Sequence, residues 1–153
     1  REGLKFQTEI LSDTAPLAQM VQSILDSGAE VHCLRDATRG GLAAVLNELA
    51  QSSNVGMEFD EMKVPVRREV QAASEMLGLD PLFIANEGKM VVIVRGHDAE
   101  RALQAMRNDK NGSQAAIIGV VTSDHAGMVV ARTSIGGKRV VDLPAGELLP
   151  RIC

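Results

Sequence analysis

Three short stretches of this chain carry residue types that could do chemistry together, and they lie far apart in the sequence. The first is Asp36-Ala37-Thr38-Arg39-Gly40-Gly41. An aspartate, a hydroxyl and two glycines between a predicted strand and a predicted helix make a turn where backbone can approach a ligand closely. Free amides at the helix start, with Arg35 and Arg39 beside them, favour an anion. The plainer reading is a tight turn whose polar side chains satisfy local hydrogen bonds. It is not a Walker-type phosphate loop, because no Gly-Lys-Ser or Gly-Lys-Thr follows.

The second stretch is Asn86-Glu87-Gly88-Lys89, just ahead of the apolar run Met90–Val94. A carboxylate at a strand start can serve as a general base when its surroundings tune it. The same four residues also read as a solvated turn with a Glu–Lys pair of little energetic worth. The third stretch is the end, Pro150-Arg151-Ile152-Cys153. A terminal thiol can carry a group into a second site. Its thiolate is the nucleophile, favoured by Arg151 and opposed by the chain's own carboxylate. Cys33 sits in a predicted apolar strand and reads as packing. His32, His97 and His125 are scattered singly, no Cys or His spacing matches a zinc site, and no metal ligands are predicted.

The elements that must position these residues follow from periodicity and capping. Asp13 or Thr14 is expected to cap a first helix, with Pro16 in its first turn, Leu17, Met20, Val21, Ile24 and Leu25 on one face, and Gly28 ending it. Residues 31–34 read as a strand and 35–41 as a loop. Thr38 then caps a second helix carrying Leu42, Val45, Leu46, Leu49 and Ala50. Residues 55–59 read as a strand, and Val66 to Leu77 as a third helix closed by Gly78. Residues 86–88 read as a turn, and 90–94 as a buried central strand. Asp98 caps a fourth helix with Ala99, Ala102, Leu103 and Met106. Three strands follow at 115–123, 127–132 and 138–143, the last two joined at Gly136-Gly137. Helices and strands alternate early and strands cluster late. That order predicts one α+β domain over residues 1–143, with helices covering a mixed sheet. Residues 144–153 read as a flexible tail with two prolines.

Composition narrows the function. With 153 residues and 45% hydrophobic side chains, the chain can bury one ordinary core and is not a disordered tail. A net charge of −4, no Trp, no Tyr and only three Phe argue against nucleic-acid binding and remove the aromatic platforms for base stacking. No apolar run is long enough to span a membrane and no signal pattern opens the chain, so a membrane role is not expected. Two cysteines make no disulfide framework, and a reducing, cytoplasmic setting is expected. Arg1 in place of a Met suggests a start inside a longer protein.

Together the motifs resemble those of the HypE family of hydrogenase maturation factors. Leu34 to Leu42 is similar to its RD-x-TRGG stretch, Ser12 to Leu17 to its SD-x-APL segment, Phe83 to Lys89 to its ANEGK segment, and Pro150 to Cys153 to its PRIC ending. The D-x-T-x-GG core is shared with aminoimidazole ribonucleotide synthetase, selenophosphate synthetase and thiamine phosphate kinase, and the cysteine-ending tail singles out HypE. The resemblance implies the layered α/β/α fold, with a mixed sheet, of the C-terminal domain in that superfamily. It implies an ATP-dependent carbamoyl dehydratase that converts an S-carbamoyl group on its last cysteine to thiocyanate, the source of cyanide for nickel–iron hydrogenase. Cys153 matches the acceptor and Glu87 the base. Asp36, Thr38, Gly40 and Gly41 match the motif facing the nucleotide cleft. The implied partners are the HypF carbamoyltransferase, a HypC–HypD complex and a second copy in a homodimer. ATP and Mg2+ would be held mainly by an earlier domain not contained in this chain, so these 153 residues alone are expected to be inactive. Two alternatives stand beside this reading: another ATP-dependent superfamily enzyme making a phosphorylated small molecule, and a non-catalytic domain that docks a partner.

Overall fold

The computed structural model describes residues 12–143. Among them are four α-helices and six strands: α1 (Ala18–Asp26), β1 (Val31–Ala37), α2 (Gly41–Ser53), β2 (Gly56–Asp60), α3 (Arg68–Leu77), β3 (Asn86–Val94), α4 (Ala99–Arg107), β4 (Gly119–Thr122), β5 (Val129–Arg132) and β6 (Lys138–Val140). The strands form two sheets where the sequence predicts one. β1 and β3 make an antiparallel ribbon, and the second sheet runs β4-β2-β5-β6. Within the second sheet β2 and β5 are parallel and the other pairs antiparallel, so the domain is α+β with a mixed sheet, as expected.

The run Met90–Val94 explains why the ribbon stands apart. Val91 and Ile93 pack toward a core built from Ala43, Leu46 and Ala50 of α2 and Met57, Phe59, Val129 and Ala131 of the mixed sheet. Met90, Val92 and Val94 pack toward a second core of Met20, Ile24 and Ala102, from α1 and α4. The strand is apolar at successive positions because each of its faces meets a different core. Helices thus lie on both sides of the ribbon, giving the α/β/α layering. The strand is not central, however, and its apolar residues are half-buried rather than buried. Ile24 is completely buried, which is worth about 1.5–3 kcal/mol for a side chain of that size.

Three expected helix caps are absent, and at two of them a longer-range partner claims the aspartate. α1 starts behind Leu17 with no side-chain cap, so neither Asp13 nor Thr14 caps it. α2 starts behind Gly40, with φ of +66°, rather than with a Thr38 cap. Asp98 precedes α4 but makes no cap; its Oδ2 accepts the backbone N–H of Glu30 at 3.0 Å. Stops are better matched. Gly28 and Gly78 follow α1 and α3 with positive φ, the conformation a helix C-terminus most often needs. β1 runs on to Ala37 because its backbone pairs with β3, overriding the loop-like composition of residues 35–37. The late strands are shorter than expected, and Thr133 N–H donates to the Gly137 carbonyl at 2.8 Å to close the last turn. Among the described residues, no helix is long and apolar enough to cross a membrane.

Candidate functional site

The ribbon brings two of the three sequence motifs together. Asp36 is opposite Met90 and Ala37 is opposite Asn86. One step on β1 therefore faces four steps on β3, and Glu87, Gly88 and Lys89 bulge out of the ladder between the paired positions. The segment is a bulge inside β3, not the turn its composition suggests. Directly paired antiparallel residues have Cα atoms about 4.5–5.5 Å apart, so the Glu87 bulge and the Asp36–Gly41 turn share one end of the ribbon.

The turn itself is made by Thr38, Arg39 and Gly40, after which α2 begins. Gly41 has φ of +65°, and a Cβ on it would lie 2.6 Å from the carbonyl oxygens of both Leu82 and Ile84. The helix start is pressed against the backbone just before Asn86, so no larger residue fits. Asp36 and Arg39 are exposed at this end, Thr38 and Gly40 half-exposed, and Gly41 buried. Arg35 does not join an anion site. Its Nη2 pairs with Glu48 Oε2 at 2.6 Å.

A third quoted motif also arrives here, which the cap reading missed. The Glu87 N–H donates to Asp13 Oδ2 at 3.0 Å, and Gly88 N–H donates to Asn86 Oδ1 at 3.3 Å. The sequence signal was present in the Ser12–Pro16 stretch, but local capping rules point it at α1. The Glu87 side chain is exposed. Lys89 turns to the Pro65 carbonyl at 3.4 Å rather than to Glu87. Partial desolvation of its ammonium, then the nearby charge of Arg67, push it below the usual lysine range, with Asp13 opposing. An exposed carboxylate on open backbone is a group that can take a proton from a bound electrophile.

Cys153 lies outside the described residues. The strand before the tail is nonetheless anchored: the buried Asn47 Nδ2 donates to the Val141 carbonyl at 2.8 Å and to Ala43 at 2.9 Å. Cys33 is half-buried in β1 rather than deep in a core. His32 is exposed, His97 lies 3.5 Å from Asp98, and His125 lies 3.8 Å from Glu58. Among the described residues, no group of three or more His, Cys, Asp or Glu could hold a metal ion. The described residues do not assemble a magnesium site.

The family model described as AIR synthase related protein, C-terminal domain, matches residues 1–131. Carbamoyl dehydratase HypE of Azotobacter vinelandii is 52% identical over 153 residues, a match covering 100% of this chain and 45% of that protein. The crystal structure of hydrogenase maturation protein HypE in complex with ATP superposes with a TM-score of 0.91 at 42% identity, covering 99% of this chain and 47% of that one. The crystal structure of the HypE–HypF complex gives 0.87 at 43% identity, over 94% of this chain and 46% of that one. The chain thus spans about half the length of the relatives it matches. It belongs to the family of AIR synthase related proteins, C-terminal domain, and is similar along its whole length to HypE.

Proposed function

We propose that this chain is the C-terminal half of a carbamoyl dehydratase, acting on a carbamoyl group carried by Cys153. The observation that carries the proposal is the Glu87 bulge, set opposite the Asp36–Ala37 step beside the start of α2. The carbamoyl oxygen is a poor leaving group until ATP phosphorylates it. As the oxygen takes the phosphoryl group, the carbamoyl nitrogen gives up its first proton. Loss of the second N–H proton expels phosphate, and the product is S–C≡N. Glu87 would accept that proton once the thiocarbamate is within hydrogen-bond reach. Asp36, Thr38, Gly40 and Gly41 would face the nucleotide. ATP, with its magnesium, would be held mainly by residues outside this chain; the ATP-bound HypE structure supports ATP as the nucleotide.

Chain length supports delivery of the thiol. Val141 is fixed to Asn47, six residues into α2 from Gly41, or about 9 Å along the helix axis. The twelve residues from Asp142 to Cys153 extend up to roughly 40 Å. A tail of that reach can enter the site and leave it again to meet a partner. The HypE–HypF structure supports a HypF carbamoyltransferase as the donor. A HypC–HypD complex as acceptor, a homodimer and a cytoplasmic setting complete the proposal.

The deciding experiment is the mass of the C-terminal peptide. The full-length protein is incubated with the carbamoyltransferase, carbamoyl phosphate and ATP. One carbamoyl added at Cys153, followed by loss of one water, is expected. An unmodified Cys153 would overturn the proposal in favour of phosphoryl transfer to a small molecule. Full hydrogenase maturation by the Cys153→Ser protein would favour a docking domain.

A further inference from the structure

We propose that Asp13 is a positioning residue for the dehydration step, holding the bulge that presents Glu87. The inference rests on the reading of Glu87 as base. Glu87, Gly88 and Lys89 have no ladder partners on β1, so the ribbon alone does not fix where the Glu87 carboxylate points. Two contacts with the segment before α1 hold the backbone of the bulge instead. Asp13 Oδ2 accepts the Glu87 N–H at 3.0 Å, across 74 residues of sequence. Gly88 lets that segment seat on the bulge: any Cβ there would run into the Asp13 carbonyl, and would lie 3.2 Å from the Ala15 Cβ. Asp13 is released for this work because α1 begins without a side-chain cap. Its carboxylate is aimed at a backbone amide, so its hydrogen bond acts on the reaction through Glu87.

Hydrogen bonding and charge can be separated here. Asparagine keeps an acceptor for the Glu87 N–H and removes the charge; alanine removes both. The test uses the full-length protein, carbamoylated at its last cysteine, and follows conversion to thiocyanate by peptide mass. Asp13→Ala is expected to slow that conversion about 100-fold, the scale of a small misplacement of a reacting group. Carbamoyl loading and the KM for ATP should stay unchanged, and Asp13→Asn should recover most of the rate. Amide hydrogen exchange should quicken at residues 86–89 in Asp13→Ala and not elsewhere. Gly88→Ala should reproduce the slow step, and stands in if Asp13→Ala fails to fold.

A wild-type conversion rate in Asp13→Ala or Gly88→Ala would overturn the inference alone. So would an Asp13→Asn protein as slow as Asp13→Ala with exchange at 86–89 unaltered, because the charge would then matter and not the hydrogen bond. Normal conversion by Glu87→Gln would overturn the reading of Glu87, and the inference with it, while a wild-type protein that is loaded but never loses water would overturn the dehydratase reading as a whole.

Discussion

Ala37 and Asn86 are paired across the β1–β3 ribbon although 49 positions separate them in the chain. The next pair, Asp36 and Met90, leaves three residues of β3 unmatched. An aspartate-glycine turn and a carboxylate-bearing bulge therefore occupy one end of a ribbon whose two faces are locked into separate cores. The pairing converts two unremarkable polar segments into one site.

Glu87→Gln is expected to stop the reaction at the carbamoylated stage. Glutamine keeps the size and the backbone bond to Asp13 but cannot take the proton. General-base removal costs on the order of 100- to 10,000-fold. The check is the C-terminal peptide mass, which should show carbamoyl and no thiocyanate. Normal cyanation by this variant would remove Glu87 from the role.

Gly41→Ala should cost roughly 2–4 kcal/mol, from a side chain in the left-handed region together with overpacking. Both causes are visible: φ is +65°, and the new Cβ would meet the Leu82 and Ile84 carbonyls at 2.6 Å. Gly78→Ala is the control. It has φ of +67° with nothing within 4 Å, so only the backbone cost of about 1–2 kcal/mol applies. Equal urea midpoints for the two variants would show that the close approach at Gly41 is not felt.

What could be read from the sequence was local. Gly28 and Gly78 end helices, and Met20 and Ile24 of the predicted α1 face are buried. What could not be read depended on distant partners. Asp13 and Asp98 sit where cap rules place caps, yet they bond to Glu87 and Glu30, 74 and 68 residues away. The apolar run of β3 likewise announced burial on both faces but not that two cores share it. Strand composition does not say which strands will pair, so the split into two sheets was hidden.

Asn47→Ala should destabilise by about 1–3 kcal/mol, the usual cost of leaving a buried polar group without its partner. Asn47 is 3% exposed and binds the Val141 carbonyl, which is the last anchored point before the tail. The loss should appear as a lower urea midpoint with an unchanged slope. Amide exchange should rise around residues 139–142. If stability falls and exchange there does not, the Asn47–Val141 bond is not what holds the end of the sheet.

Asp98 should give the fold an acid-sensitive limb. The Glu30 N–H, then the charges of His97, Arg101 and Arg95, hold its carboxyl below the ordinary value of 3.8, with burial opposing them. A carboxylate whose folded pKa is depressed binds fewer protons folded than unfolded near that value. Its stabilising contribution is therefore complete above 3.8 and is lost as the pH falls from there through the lower folded value. Asp98→Asn removes the charge and keeps an acceptor for Glu30. The variant should be less stable than the wild type at pH 7, and the two thermal midpoints should converge as the pH drops below about 3.8. A gap that stays constant down to the acid limit would mean that packing around residue 98, and not its ionisation, ties α4 to the start of β1.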